Sequence, residues 1–183
     1  MKKKALIVID IQNIYFTEGP YLLWEPKRAA QNARTVIDAF RRQGLPVIHV
    51  KHHFNTSTYD MDSDYLNNFY SLTAPLPEEK VVEKDFPNAF LKTQLQEYLQ
   101  KIGVEELVIV GMMSHMCIDT TVRACQDYGY SVTVVEDACT TKTLRFQGVD
   151  IPAELAHTAF MAALNGMFAD VISTEEAVNC KKV

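Results

Sequence analysis

The chain is poor in cysteine, and its four cysteines are not arranged to pair. Cys117, Cys125, Cys139 and Cys180 form no CxxC and no dense framework. A disulfide scaffold is therefore excluded, and in a reducing compartment all four are expected as free thiols. No apolar run approaches the ~20 residues that cross a bilayer. Lys2, Lys3 and Lys4 precede an apolar stretch in the order of a secretory leader, but Asp10 ends that stretch after residues 5–9, too soon for a leader core. The expectation is a cytoplasmic protein with no membrane partner. An excess of basic charge is also missing. The formal net charge is -5, which argues against a nucleic-acid partner and leaves small molecules open. Repeats and low-complexity tracts are absent. So are GxGxxG, GxxxxGK[ST] and GxSxG, leaving dinucleotide binding, P-loop chemistry and the serine-hydrolase elbow without support.

What is present is an alternation of strand-like and helix-like segments. At 183 residues the chain fits one domain, residues 1–183, which buries enough surface to need neither disulfides nor a structural metal. Residues 4–9 are apolar and rich in β-branched side chains, as in a strand buried on both faces. Residues 26–43 carry an apolar stripe at Ala29, Ala33, Val36, Ile37 and Phe40, closed by Gly44. Further strands are expected at 46–50, 81–83, 107–110, 131–135 and 168–172. Further helices are expected from Asn88 as N-cap to Gly103, over 116–128, and from Pro152 to about Gly166. Residues 54–80 and 140–151 read as loops, and the tail to Val183 as polar and loose. This order predicts an α/β fold: a doubly wound three-layer α/β/α sandwich around a mainly parallel six-stranded sheet. Ligands of such sheets sit at the carboxyl ends of the strands. Asp10, Lys84 and Cys117 all fall there.

Asp10 ends the first strand and is either a catalytic acid or a carboxylate capping a turn. A phosphate-transferring aspartate would be followed by a second one at position 12, where Gln12 stands. Lys84 alone would be a solvated lysine. Cys117 lies between a strand and a helix, where backbone N–H groups and a nearby ammonium favour the thiolate and so lower the thiol pKa. Cys125 and Cys139 read as small buried hydrophobes. His49, His52 and His53 invite a metal reading, with His49 and His53 on one strand face and His52 opposite. No Asp or Glu lies between positions 39 and 59 to complete a ligand set, so no metal is assigned.

Three fragments carry a resemblance: Ala5-Leu-Ile-Val-Ile-Asp10-Ile-Gln12-Asn13, Lys84-Asp-Phe-Pro-Asn-Ala-Phe90, and Gly111-Met-Met-Ser-His-Met-Cys117-Ile-Asp-Thr-Thr121. Val122-Arg-Ala124 to Gly129 and Val135-Glu-Asp137-Ala138 extend it. In this order and at these intervals the chain resembles the isochorismatase-like cysteine hydrolases, which include nicotinamidases and other small-amide hydrolases. The resemblance implies a catalytic trio of Asp10, Lys84 and Cys117, without cofactor. It implies a cis peptide between Met112 and Met113, with the N–H groups of Met113 and Cys117 as an oxyanion hole. Two departures stand out: Asn88 replaces a serine common in relatives, and the Asp-x-His metal pattern of nicotinamidases is not clean around residues 49–53.

By the same resemblance, Cys117 favours cleavage of a C–N bond in a small amide or ureide, with ammonia released. The alternatives are vinyl-ether hydrolysis of the isochorismatase type, a non-catalytic relative, and redox sensing by Cys117. Gln12, Phe16, Trp24 and His115 are the substrate-pocket candidates. Phe16, Tyr21 and Trp24 could equally pack against another subunit, and a homodimer or homotetramer is expected.

Overall fold

The computed structural model describes residues 3–18, 21–54 and 63–179. Its first strand, β1 (Lys4–Ile9), shows why the fold forms. Ala5, Ile7 and Ile9 enter one apolar cluster and Leu6 and Val8 the other, one on each face of the sheet. Period-2 alternation thus places every side chain of an all-apolar segment in a core. Helix α1 (Pro26–Arg42) follows, with its predicted stripe fully buried. It ends where Gly44, at φ 66°, lets the Leu45 N–H return to Phe40 O at 3.0 Å. β2 (Val47–His52), the short α2 (Ser63–Asn67), β3 (Lys80–Lys84), α3 (Leu95–Lys101), β4 (Glu106–Met112), α4 (Asp119–Asp127), β5 (Ser131–Thr140), β6 (Leu144–Phe146), β7 (Val149–Ile151), α5 (Ala153–Leu164), β8 (Asp170–Ile172) and α6 (Thr174–Asn179) complete the order.

The main sheet has the order β3-β2-β1-β4-β5-β8 and is parallel throughout. From β1 the chain adds strands in one direction to β3, then crosses to the other side for β4. The crevice between the ends of β1 and β4 is therefore the topological switch point. None of the described helices is long and apolar enough to cross a membrane.

Several boundaries differ from the sequence reading. The helix expected from Asn88 starts only at Leu95. Asn88 Oδ1 instead accepts the Phe90 N–H at 2.9 Å, and Lys92 adopts φ 57°, which no helix contains. The 140–151 loop contains the hairpin β6–β7, whose turn residues Gln147 and Gly148 both have positive φ. Strand β5 continues past Val135 to Thr140 through an irregularity that re-registers Gly111 onto Cys139. The last strand starts at Asp170 rather than 168. Of the tail read as loose, residues 180–183 lie outside the described residues, and residues 174–179 form α6, which buries Ala177 in the cluster that contains the α1 stripe. Its start is a reciprocal cap, with the Ser173 N–H on Glu176 Oε2 at 2.8 Å and the Glu176 N–H on Ser173 Oγ at 3.2 Å. Within the 54–80 segment, α2 and a turn at Ser71–Thr73 are ordered elements; residues 55–62 lie outside the described residues, as does Cys180.

Candidate active site

Three chain ends converge at the switch point. Asp10 follows β1 at φ 52°, with its N–H held by Val50 O at 3.0 Å. Lys84 closes β3, two strands away, beside its register partner His52. Cys117 lies in one wide helical turn, Ser114–Ile118, that links β4 to α4. All three side chains are buried. Lys84 Nζ lies 2.7 Å from Asp10 Oδ2, 3.3 Å from Cys117 Sγ and 3.0 Å from His52 Nδ1. The one ammonium thus sits among a carboxylate, a thiol and an imidazole nitrogen, hydrogen-bonded to the last two.

The electrostatics differ from the sequence expectation for Cys117. Burial, and then the Asp10 carboxylate, push its thiol up to about 12; the attraction of Lys84 is outweighed. Cys117 therefore rests as a neutral thiol, not as a thiolate pre-formed by a helix N-terminus. Burial also raises Asp10 above the ordinary carboxylate value, with Lys84 pulling the other way. Although Lys84 is within ion-pair distance, neither Asp10 oxygen has a partner at good hydrogen-bond angles among the described residues. A desolvated carboxylate with an unused lone pair, beside a neutral thiol, is equipped to accept a proton.

His52 is the site residue that sequence reasoning missed. The sequence groups it with His49 and His53, but the three do not meet. His49 is buried against Glu79, at 3.0 Å, and His53 is exposed beside Glu83 and Asp85. His52 is held down at about 4 by burial and by Lys84, so at neutral pH its Nδ1 accepts from the ammonium. Only the pairing of β2 with β3 brings it to Lys84, and no local sequence signal carries that. The ligand atoms of Asp10, His52 and Cys117 lie within 4.8 Å of one another, as a metal triad would. Lys84 Nζ occupies the space among them and is the cation they share.

The remaining candidates divide. Met113 follows a cis peptide from Met112 and is buried. Gln12 is consumed structurally: its amide holds His52 N, His52 O and Asn67 O at 2.8, 2.9 and 2.8 Å. Phe16 stacks on Tyr70 with ring centroids 3.7 Å apart. His115 is half-buried, bonded to Thr141 Oγ1, and lowered by burial and by Lys142. Trp24 lines a cleft of about 560 Å³ with Leu22, Leu23, Lys142, Thr143, Pro152 and Glu154, and none of the trio lines it. Tyr15 is buried near the trio; burial and the Asp10 charge raise its phenol. At the start of the Ser114–Ile118 turn, Ser114 Oγ meets His157 Nδ1 at 2.8 Å, and His157 Nε2 lies 3.5 Å from Glu136. That chain ties residue 114 to α5 and β5. Buried Cys125 and Cys139 carry thiols raised by desolvation, as expected of small hydrophobes.

Fold and site together define a hydrolase of the doubly wound α/β class. The chain belongs to the isochorismatase family: the family model of the isochorismatase domain matches residues 4–176. It is 48% identical over 173 residues to the isochorismatase family protein YddQ of Bacillus subtilis, covering 93% of this chain and 96% of that one. The crystal structure of an isochorismatase from Pseudomonas putida superposes with a TM-score of 0.89 at 40% identity, covering 94% of this chain and 89% of the other. Nicotinamidase 3 of Arabidopsis thaliana is 32% identical over 154 residues, covering 76% and 74% of the two chains.

Proposed function

We propose that this protein is a cysteine amidohydrolase that cleaves a C–N bond of a small amide or ureide through a thioester on Cys117. The observation that carries the reading is the single ammonium of Lys84 held between a buried carboxylate and a buried thiol, 2.7 Å from one and 3.3 Å from the other. The likeness to a nicotinamidase supports the bond type.

Asp10 takes the thiol proton as Cys117 Sγ attacks the carbonyl carbon. Lys84 offsets the negative charge as it passes from carboxylate to sulfur. The tetrahedral oxyanion rests on the N–H groups of Met113 and Cys117, each such donor being worth about 3–4 kcal/mol of barrier. The C–N bond breaks, the leaving nitrogen takes the proton from Asp10, and ammonia departs. A water then gives its proton to Asp10 and adds to the thioester. Collapse releases the acid, and the thiolate recovers its proton from Asp10. Because the thiol starts neutral, proton transfer and attack are coupled, and Asp10 must be ionised in the resting enzyme.

The test is ammonia release from a panel of primary amides and ureides, nicotinamide and carbamoyl compounds included. Wild type is expected to be active on at least one member. Cys117→Ala and Asp10→Asn are expected to lose activity while keeping a native circular dichroism spectrum. Full ammonia release by folded Cys117→Ala would exclude a thioester on Cys117, whereas no ammonia from any panel member would favour hydrolysis of a vinyl ether, the reaction suggested by the name of the Pseudomonas putida relative.

A further inference from the structure

His52 is a polar side chain of the site that takes no part in the proposed steps. It closes β2 as Lys84 closes β3, and the two are register partners on adjacent parallel strands. Such partners project to the same side of the sheet, and His52 Nδ1 lies 3.0 Å from Lys84 Nζ. An ammonium only donates, so Nδ1 accepts and the ring proton sits on Nε2. The place of the ring is fixed from elsewhere. The Gln12 amide grips the main chain of residue 52 through its N–H and its C=O, at 2.8 and 2.9 Å. Phe54 lies against the ring, with centroids 4.6 Å apart. The contact with Lys84 is the one hydrogen bond the ring makes among the described residues. The neighbouring histidines differ: His49 and His53 both face carboxylates. His52 faces a cation, and burial together with that cation keeps it neutral.

We propose that His52 is a positioning residue: it holds the Lys84 ammonium where it serves the Asp10 carboxylate and the Cys117 sulfur at once, and so sets the reactivity of Cys117. This rests on the amidohydrolase reading, in which Lys84 offsets negative charge as it passes from carboxylate to sulfur. A lysine ammonium ends a flexible four-carbon stem, and left alone it would close on the charged Asp10 rather than share itself with a neutral thiol. A third acceptor at 3.0 Å restricts that movement. Because this acceptor is uncharged, it does so without pulling the ammonium away. A carboxylate at position 52 would compete with Asp10 and leave less of the positive charge for the sulfur. The room for error is small: a His52 ring nitrogen, an Asp10 oxygen and Cys117 Sγ all lie within 4.8 Å of one another. Removing the acceptor lets Nζ drift from the sulfur, and the thiol then gives up its proton less readily.

The test reads Cys117 directly, without a substrate. The rate at which iodoacetamide alkylates Cys117 is followed by peptide mass mapping against pH, in full-length wild type, His52→Leu and His52→Asn. His52→Leu is expected to slow alkylation at neutral pH by about 10–100-fold, the effect of losing one hydrogen bond to a charged group, and to move the pH midpoint upward. His52→Asn offers Oδ1 in place of Nδ1 and is expected to recover most of the loss. In ammonia release, His52→Leu is expected to lower kcat while KM changes little. A folded His52→Leu that is alkylated like wild type at every pH overturns the proposal, and assigns His52 a purely structural role. So does His52→Asn that is as slow as His52→Leu, since shape and not the acceptor would then matter. Nitrogen NMR of the wild-type imidazole needs no variant: it should show Nε2 protonated and Nδ1 bare at neutral pH. A proton on Nδ1 overturns the proposal even if neither variant folds. A wild type that releases no ammonia removes the amidohydrolase reading, while alkylation and NMR still decide the role of His52.

Discussion

Replacing Gly111 by alanine adds one methyl group, yet it is expected to damage both the sheet and the site. Gly111 sits in β4 opposite Ile9 of β1, at φ +130°, a conformation open essentially to glycine alone. A Cβ built there would stand 2.0 Å from Ile9 O and 2.8 Å from Ile9 N and C. The obstruction is backbone, so no side chain can swing away; the two central strands must part by about 1 Å or the residue must leave its φ. Backbone strain of about 1–3 kcal/mol, overpacking of about 1–3 and one weakened ladder hydrogen bond of about 1 sum to roughly 3–7 kcal/mol. For a domain of this size each kcal/mol lowers Tm by about 2–4 °C, so a fall of about 6 °C or more is expected in scanning calorimetry. Function suffers separately, because Asp10 follows Ile9 and the Met112–Met113 peptide follows Gly111. A shift of about 1 Å between carboxylate and thiol predicts a loss of kcat/KM of up to about 100-fold at temperatures where the variant is still folded. A Tm within about 2 °C of wild type, with unchanged kcat/KM, would refute the reasoning.

Three further outcomes are expected. His49 is buried neutral, donating from Nε2 to Glu79, and is held at about 4 against 6.5. A folded value below the unfolded one means that stability is complete above pH 6.5 and is lost as pH falls toward 4, by ~3 kcal/mol for this group. Urea unfolding of wild type should weaken across that window, and His49→Gln should show a shallower dependence; equal slopes would exclude His49 as the cause. Asp137 Oδ1 accepts from Thr174 N and Oγ1 at 2.8 and 2.6 Å, so Asp137→Ala should cost about 1–2 kcal/mol of unfolding free energy through loss of this cap on α6. His157→Ala leaves the buried Ser114 hydroxyl without its partner, worth about 1–3 kcal/mol of stability. It should lower kcat more than it changes KM, because Ser114 adjoins the Met113 N–H; His157→Gln should restore part of the loss, and a change confined to Tm would assign the residue a purely structural role.

The parts of this account that were legible in the sequence are those set by local periodicity. Residues 4–9 announce a doubly buried strand because every one of 5–9 is apolar, and the α1 stripe and its glycine stop mark that helix without any tertiary information. The site was legible through three motifs in order, since each of Asp10, Lys84 and Cys117 ends or follows a strand. What escaped depends on contacts between distant segments. Lys84 meets His52 only because β2 and β3 pair in one register, and Gln12 is spent on the backbone of residues 52 and 67. The high thiol value of Cys117 comes from burial and a carboxylate on another strand, neither visible at positions 111–117. Asn88 shows the limit of a cap rule, because an Asx turn and an N-cap use the same side-chain oxygen. Helix α6 was missed for a different reason: polar composition masked a Ser173–Glu176 capping box that the sequence does contain.

The central claim is a covalent intermediate on one particular sulfur. Acid-quenched turnover of the best substrate in the amide and ureide panel, followed by peptide mass mapping, tests it most directly. An acyl mass is expected on the peptide that contains Cys117, absent from Cys117→Ala and lost on treatment with hydroxylamine. Steady turnover of the amide with no adduct at Cys117 in the wild type, and undiminished turnover by Cys117→Ala, would contradict it.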